Sequence, residues 1–174
     1  MDGVLVDFDH KAEAIFPQFK EMEDYFHRGI GDKKDYNKQY TALVFKIMRT
    51  KNFWLDLPWM HDGRQLYEYV KTHFHPDQVA VLTAPMNQDT RCEPEKREWV
   101  SRNLHTIPQS QVFVDLSKEN YVGKIPGKLQ ILVDDRERNI VKWREAGGIG
   151  IHHSSASTSI YHLESIIKEA KDKA

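Results

Sequence analysis

Cysteine is nearly absent from this chain: Cys92 is the only one in 174 residues. No disulfide framework can staple the fold, and a reducing, cytoplasmic setting is the expectation. An excess of charge of one sign is missing too. Lys and Arg number 25 against 26 Asp and Glu, a formal net charge of -1. No global field therefore draws the chain to a nucleic-acid polymer or to an anionic membrane. No apolar run approaches the roughly 20 residues of a membrane span, and the N-terminus lacks the basic-then-apolar pattern of a signal peptide. There is no internal repeat and no long low-complexity tract. What is present is 40% hydrophobic residues in a length that suits one domain, 1–174, with a real core.

From Lys11 to about His27, apolar Ala12, Ile15, Phe16, Phe19, Met22 and Phe26 follow a helical spacing, which Pro17 must kink unless it lies in the first turns. Gly29, Gly31 and Asp32 mark a loop. Tyr36 to Met48 reads as a second helix with Tyr40, Leu43, Val44 and Ile47 on one face. An aromatic connection from Asn52 to Met60 follows, and Asp62-Gly63 turns into a helix carrying Leu66, Tyr69, Val70 and Phe74. An alternation then begins. Short apolar strands are expected at Val79–Leu82, Val112–Val114, Gln130–Val133 and Gly148–His152. Helices are expected at Glu95–Leu104, Arg136–Ala146 and Ile160–Ala170, with the Lys-rich tail from Lys168 fraying into solvent. Strands apolar throughout and separated by helices imply an α/β, doubly wound parallel sheet covered on both faces. Residues 11–60 do not fit the alternation and form a small helical cap over one edge of that sheet.

In such sheets ligands bind at the carboxyl ends of the strands. Asp2, Thr83 and Asp134 fall there. Asp134-Asp135 closes a buried strand, where hard Mg²⁺ takes carboxylate oxygens, waters and substrate phosphate; the same pair can simply cap the helix that follows. Asp2-Gly3 is an acidic turn in which Gly3 lets the backbone turn tightly and aim amides at an anion. The Thr83 hydroxyl can donate to a phosphate oxygen or cap a turn. Lys96 lies early in a helix, just after the loop Met86 to Pro94, and Lys118 just past the strand Val112 to Val114; either can reach a phosphate as a point charge or simply be solvated. Phe8, Phe53, Trp54 and Trp59 can stack on a nucleobase or pack generically. His73, His75, His152 and His153 do not read as a zinc site, because the pairs are too close together and no Cys or third ligand stands at a zinc spacing. Gly147, Gly148 and Gly150 precede a strand, so they are no dinucleotide fingerprint.

Taken in order, Met1 to Phe8, Leu82-Thr83-Ala84-Pro85, Glu95 to Val100 and Ile131 to Arg136 resemble the motifs of the haloacid dehalogenase superfamily of phosphohydrolases. They look most like those of the 5'(3')-deoxyribonucleotidase family. The resemblance covers nearly the whole chain. It implies a Rossmannoid fold, Mg²⁺ as cofactor, a small-molecule phosphate ester such as a nucleoside monophosphate as ligand, and an aspartyl-phosphate mechanism. Asp2 would be the general acid and then base, its carbonyl also binding Mg²⁺. Thr83 would bind the phosphate, and Lys96 and Lys118 would neutralise it. Asp134 would be a metal ligand with Asp135 in support. Gly3, Phe8, Trp54, Ala84 and Arg136 would line the substrate site.

The family's opening motif places the nucleophilic Asp, and the strand that carries it, just before Met1, where this chain has no residue. Asp7 and Asp9 lie beyond the turn and cannot replace it, and a free Met1 amino group would add positive charge nearby. Three readings stay open. The protein continues upstream of Met1; or another segment or a second copy of the chain fills the gap and the domain binds without turnover; or this is a binding or structural α/β domain of another kind. A sheet lacking its central strand has a motive to pair with a second copy.

Overall fold

The computed structural model describes residues 1–22, 33–86, 88–124 and 129–173. The loop expected at Gly29, Gly31 and Asp32, and the end of the first expected helix, lie outside them. In chain order the elements are α1 (Phe8–Ile15), α2 (Lys33–Met48), α3 (Gly63–His73), β1 (Val81–Thr83), α4 (Cys92–Asn103), β2 (Val112–Val114), β3 (Ile131–Asp134), α5 (Glu137–Glu145), β4 (Ile149–His152) and α6 (Ala156–Asp172). Among the described residues no helix is long and apolar enough to cross a membrane.

The expected alternation is there, and the strands are parallel. Helix α4 links β1 to β2, and α5 links β3 to β4, the crossover that parallel strands require. One continuous sheet is not what they form. Val81 pairs with Val112 and Thr83 with Val114, while Ile131 pairs with Ile149 and Asp134 with His152, giving two sheets of two strands each among the described residues. The N-terminal segment reaches both halves as a turn, not as a strand. Leu5 N donates to Met1 O at 2.9 Å and Gly3 N to Val6 O at 3.0 Å. Val4 packs in a cluster with Ile151, Ala156 and Leu163. Met1 and Val6 belong to the large cluster around Val81, Trp99 and Val112. Leu82 adds a second tie, packing on Leu132, Ile140 and Trp143.

Several helix limits shift for local reasons. Helix α1 starts at Phe8, because the Asp7 carboxylate accepts from His10 N at 2.9 Å as an N-cap. It ends at Ile15, because Pro17 disfavours the helical region for Phe16, which is extended at φ -137°. The chain is helical again over 19–22. Helix α4 begins at Cys92 rather than Glu95, with Pro94 in the first turn, where no amide hydrogen is needed. Helix α6 begins at Ala156 rather than Ile160, capped by Ser155, whose hydroxyl accepts from Thr158 N at 3.2 Å.

The described residues of segment 11–60 share their core with the β1–β2 half. Phe19, Ile47, Phe53, Trp54 and Leu57 are buried in the same cluster as Trp99, Val100 and Leu104. Burying side chains of that size contributes roughly 1.5–3 kcal/mol each, so this segment is part of what holds β1, β2 and α4 together.

Candidate functional site

Lys96 organises the first half of the site. It projects from α4 and is 2% exposed. Its Nζ donates to Asp2 Oδ2 at 2.8 Å, to Ala84 O at 2.9 Å and to Thr83 Oγ1 at 3.2 Å. Thr83, at the carboxyl end of β1, donates in turn to Asp2 Oδ2 at 3.4 Å. The Trp54 ring lies over the same ammonium, 4.5 Å from Nζ to centroid. A desolvated cation–π contact of this kind is worth up to about 2 kcal/mol. Asp2 keeps 27% of its side chain exposed. Its Oδ1, however, is buried and has no hydrogen-bond partner among the described residues.

The second half gathers at the end of β3. The Asp134 carboxylate is 2% exposed, and both of its oxygens are engaged. Lys118 Nζ donates to Oδ2 at 2.5 Å, while Arg136 N and Asn139 Nδ2 each donate to Oδ1 at 2.9 Å. Lys118 is itself 6% exposed, in a short turn of 3-10 helix at Lys118–Tyr121. Asp135 reaches back to the N-terminal turn. A Cβ on Gly3 would lie 2.3 Å from Asp135 Oδ2, and Gly3 has φ +72°, so only glycine lets these two segments approach.

The halves are joined electrically. Burial pushes the Asp2 carboxyl up, but the charge of Lys96, that of the Met1 amino group, the Lys96 hydrogen bond and Lys118 together hold it below its ordinary value. Asp134 behaves alike: burial raises it, and Lys118, Arg136 N and Asn139 more than offset that. Asp135 goes the other way, pushed up by burial and then by the negative charge of Asp134. The Met1 amino group does not add a full positive charge. Burial and then Lys118 bring it from an ordinary 8.0 down to about 6.

The structure thus brings Asp2, Thr83, Ala84 and Lys96 into one hydrogen-bonded group. It puts Asp134 with Lys118, and Gly3 against Asp135. Arg136 contributes its backbone amide, and its side chain is exposed. Phe8, in α1, lies in an aromatic cluster with Phe19, Phe53 and Trp54 at ring separations of 6.2, 5.3 and 6.1 Å. Trp54 is 4% exposed. Sequence reasoning missed Asn139, which orients Asp134, and Asp89, which accepts from Trp54 Nε1 at 3.4 Å. Asn139 stands five residues beyond Asp134, in the first turn of α5, and that spacing was the available signal. Asp89 lies in the loop after β1 with no pattern to mark it.

One point of this donor set fits a divalent cation. A buried carboxylate oxygen of Asp2 lacks a partner among the described residues; Asp135, raised first by burial and then by Asp134, would carry its charge more readily beside a cation. Asp134 has no oxygen to spare without giving up Lys118 or its amide donors. No group of three or more His, Cys, Asp or Glu side chains converges among the described residues; Mg²⁺ needs fewer, since it keeps waters and takes phosphate oxygens. No protein-family model matches the chain, and no curated protein matches it.

Proposed function

We propose that this is a phosphatase-type domain of the haloacid dehalogenase kind, which takes a phosphate monoester, with nucleoside monophosphates as the ligand class, beside Mg²⁺. The observation that carries this reading is the buried Lys96 ammonium shared among Asp2, Thr83 and Ala84 O at the end of a parallel strand. A phosphate oxygen there would replace Asp2 Oδ2 as the acceptor for Lys96 and Thr83, one charged acceptor exchanging for another. Asp2 would then lose the cation that holds its carboxyl low. It would take up a proton more readily, as a general acid facing a leaving oxygen must. Lys118 lies close enough to lower Asp2 and can share the phosphate's charge. Mg²⁺, held through the main-chain carbonyl of Asp2 and by Asp135 with Asp134 behind them, would supply charge stabilisation for the transferring phosphoryl group and leave the Asp2 carboxyl free to carry the proton.

None of these residues is the nucleophile of an aspartyl-phosphate mechanism, which the resemblance puts immediately before Met1. The test is therefore made on binding first. Inorganic phosphate and deoxyribonucleoside monophosphates are titrated calorimetrically with and without Mg²⁺. Binding that strengthens with Mg²⁺ and falls at least about tenfold in Lys96→Met is expected, tenfold being about 1.4 kcal/mol. No heat with any of these ligands would overturn the reading. Turnover is then followed by phosphate release, and loss of any turnover in Asp2→Asn would tie it to this site.

A second reading, a catalytically inactive binding or structural domain, draws on the full engagement of Asp134. On that reading the two lysines serve only to neutralise buried carboxylates. Asp134→Ala would then cost stability and leave phosphate and Mg²⁺ titrations unchanged.

A further inference from the structure

We infer that Trp54, anchored by Asp89 and Arg91, is a positioning residue for Lys96 rather than a platform for the ligand's base. The inference rests on the reading of Lys96 as the phosphate-facing cation. A lysine side chain is flexible and its ammonium strongly hydrated, so a lysine meant to meet an anion at one point has to be held and kept dry. Three acceptors fix Nζ. The Trp54 ring lies over the same ammonium at 4.5 Å, and Lys96 is 2% exposed.

Trp54 is itself fastened at both ends. Its backbone N donates to Glu95 Oε2 at 3.1 Å, and Glu95 is the residue just before Lys96. Its indole Nε1 donates to Asp89 Oδ2 at 3.4 Å. Asp89 is buried and gripped by Arg91, through Nε to Oδ1 at 2.9 Å and Nη2 to Oδ2 at 3.0 Å. Arg91 Nη1 reaches Thr50 O at 3.5 Å, the turn that follows α2. Phe53 and Phe8 brace the indole at 5.0 and 6.1 Å. A ring so enclosed, with one face already occupied by an ammonium, is not free to stack on a nucleobase without releasing Lys96.

The test reads Lys96 directly. In ¹⁵N-lysine NMR a dry ammonium over an indole face gives a slowly exchanging signal shifted upfield by the ring, assigned by its loss in Lys96→Met. Trp54→Phe keeps an aromatic face but loses the Nε1 donor to Asp89, so it is expected to keep the upfield shift and to exchange faster, as Asp89→Ala does. Trp54→Leu is expected to lose both the shift and the slow exchange, and to weaken inorganic phosphate binding by about tenfold. Asp89→Ala leaves the ring but frees its anchor. It serves where Trp54→Leu fails to fold, and it is expected to speed ammonium exchange. An unchanged Lys96 signal in Trp54→Leu and Asp89→Ala overturns the inference. If wild-type protein shows the shifted signal yet binds no phosphate, the positioning stands and the anion reading of Lys96 falls. If a base-bearing nucleotide loses far more affinity than inorganic phosphate in Trp54→Phe, Trp54 is a ligand platform and the inference falls.

Discussion

Among the described residues two buried lysine–aspartate pairs stand out, one beside the end of β1 and one at the end of β3, and they are finished to different degrees. Lys118–Asp134 is closed: both residues are almost fully buried, and every carboxylate oxygen has a donor. Lys96–Asp2 is open: the lysine is as deeply buried, but Asp2 is partly exposed and one of its oxygens has no partner among the described residues. A buried ion pair adds stability only when its remaining lone pairs are satisfied. The closed pair therefore reads as the support of the site, and the open pair as the place where something can enter. Substitutions that treat the two pairs alike measure the difference.

The largest effect is expected at the closed pair. Lys118→Met leaves Asp134 buried beside two neutral donors, and breaking such a pair costs about 3–5 kcal/mol. Urea denaturation at neutral pH reads this. The loss has a pH signature as well. Asp134 titrates below its ordinary 3.8 when folded, so its stabilisation is present above that value and fades as pH falls through the lower folded value. The gap between wild type and Lys118→Met should narrow in strong acid. A gap under about 1 kcal/mol at neutral pH, the range of surface pairs, would mean that the pair is not closed in solution.

Lys96→Met should cost less, about 1–3 kcal/mol, because Asp2 can turn its carboxylate to water. Phosphate binding should nevertheless fall more here than in Lys118→Met. Equal stability losses in the two variants would erase the distinction between supporting and receiving pair.

Gly3→Ala comes next. A left-handed conformation costs a residue with a Cβ about 1–2 kcal/mol, and the new methyl would displace the Asp135 carboxylate from the turn. The expected result is a modest loss of denaturation midpoint with a larger loss of Mg²⁺ response. A variant with unchanged Mg²⁺ response would separate Asp135 from the site.

The closed pair was half legible in the sequence, and the open one was legible in its members but not in its state. Thr83 and Asp134 end apolar runs, and strand ends are where parallel sheets present side chains, so their neighbourhood followed from periodicity. Lys118 could be placed beyond β2, but not its burial against Asp134, which depends on how a turn folds back over 16 residues. The resemblance places Trp54 in the substrate site, with generic packing as the alternative; the Lys96 ammonium over its face comes from 42 positions away. The two-by-two strand pairing was hidden for the same reason. Apolar runs and intervening helices specify parallel strands, but which edges meet is settled by long-range packing, here by Leu82, Val4 and Val6.

The smallest expected effect bears on the metal. Asp135 titrates above its ordinary 3.8 because burial and Asp134 disfavour its charge. Its folded state holds the proton more tightly than the unfolded chain does. Its contribution to stability is therefore full below 3.8 and lost as pH rises through the higher folded value. At neutral pH the ionised Asp135 is a liability, and Asp135→Asn should be slightly more stable than wild type, by less than the Gly3→Ala loss. Below pH 3.8 the two should coincide. Saturating Mg²⁺ should reverse the order, because a cation bound by the folded state stabilises only the chain that keeps the carboxylate. Thermal melts at two pH values, each with and without Mg²⁺, separate the terms. An Asn variant less stable at neutral pH, with no response of either protein to Mg²⁺, would leave the open pair without the divalent partner its bare oxygen invites.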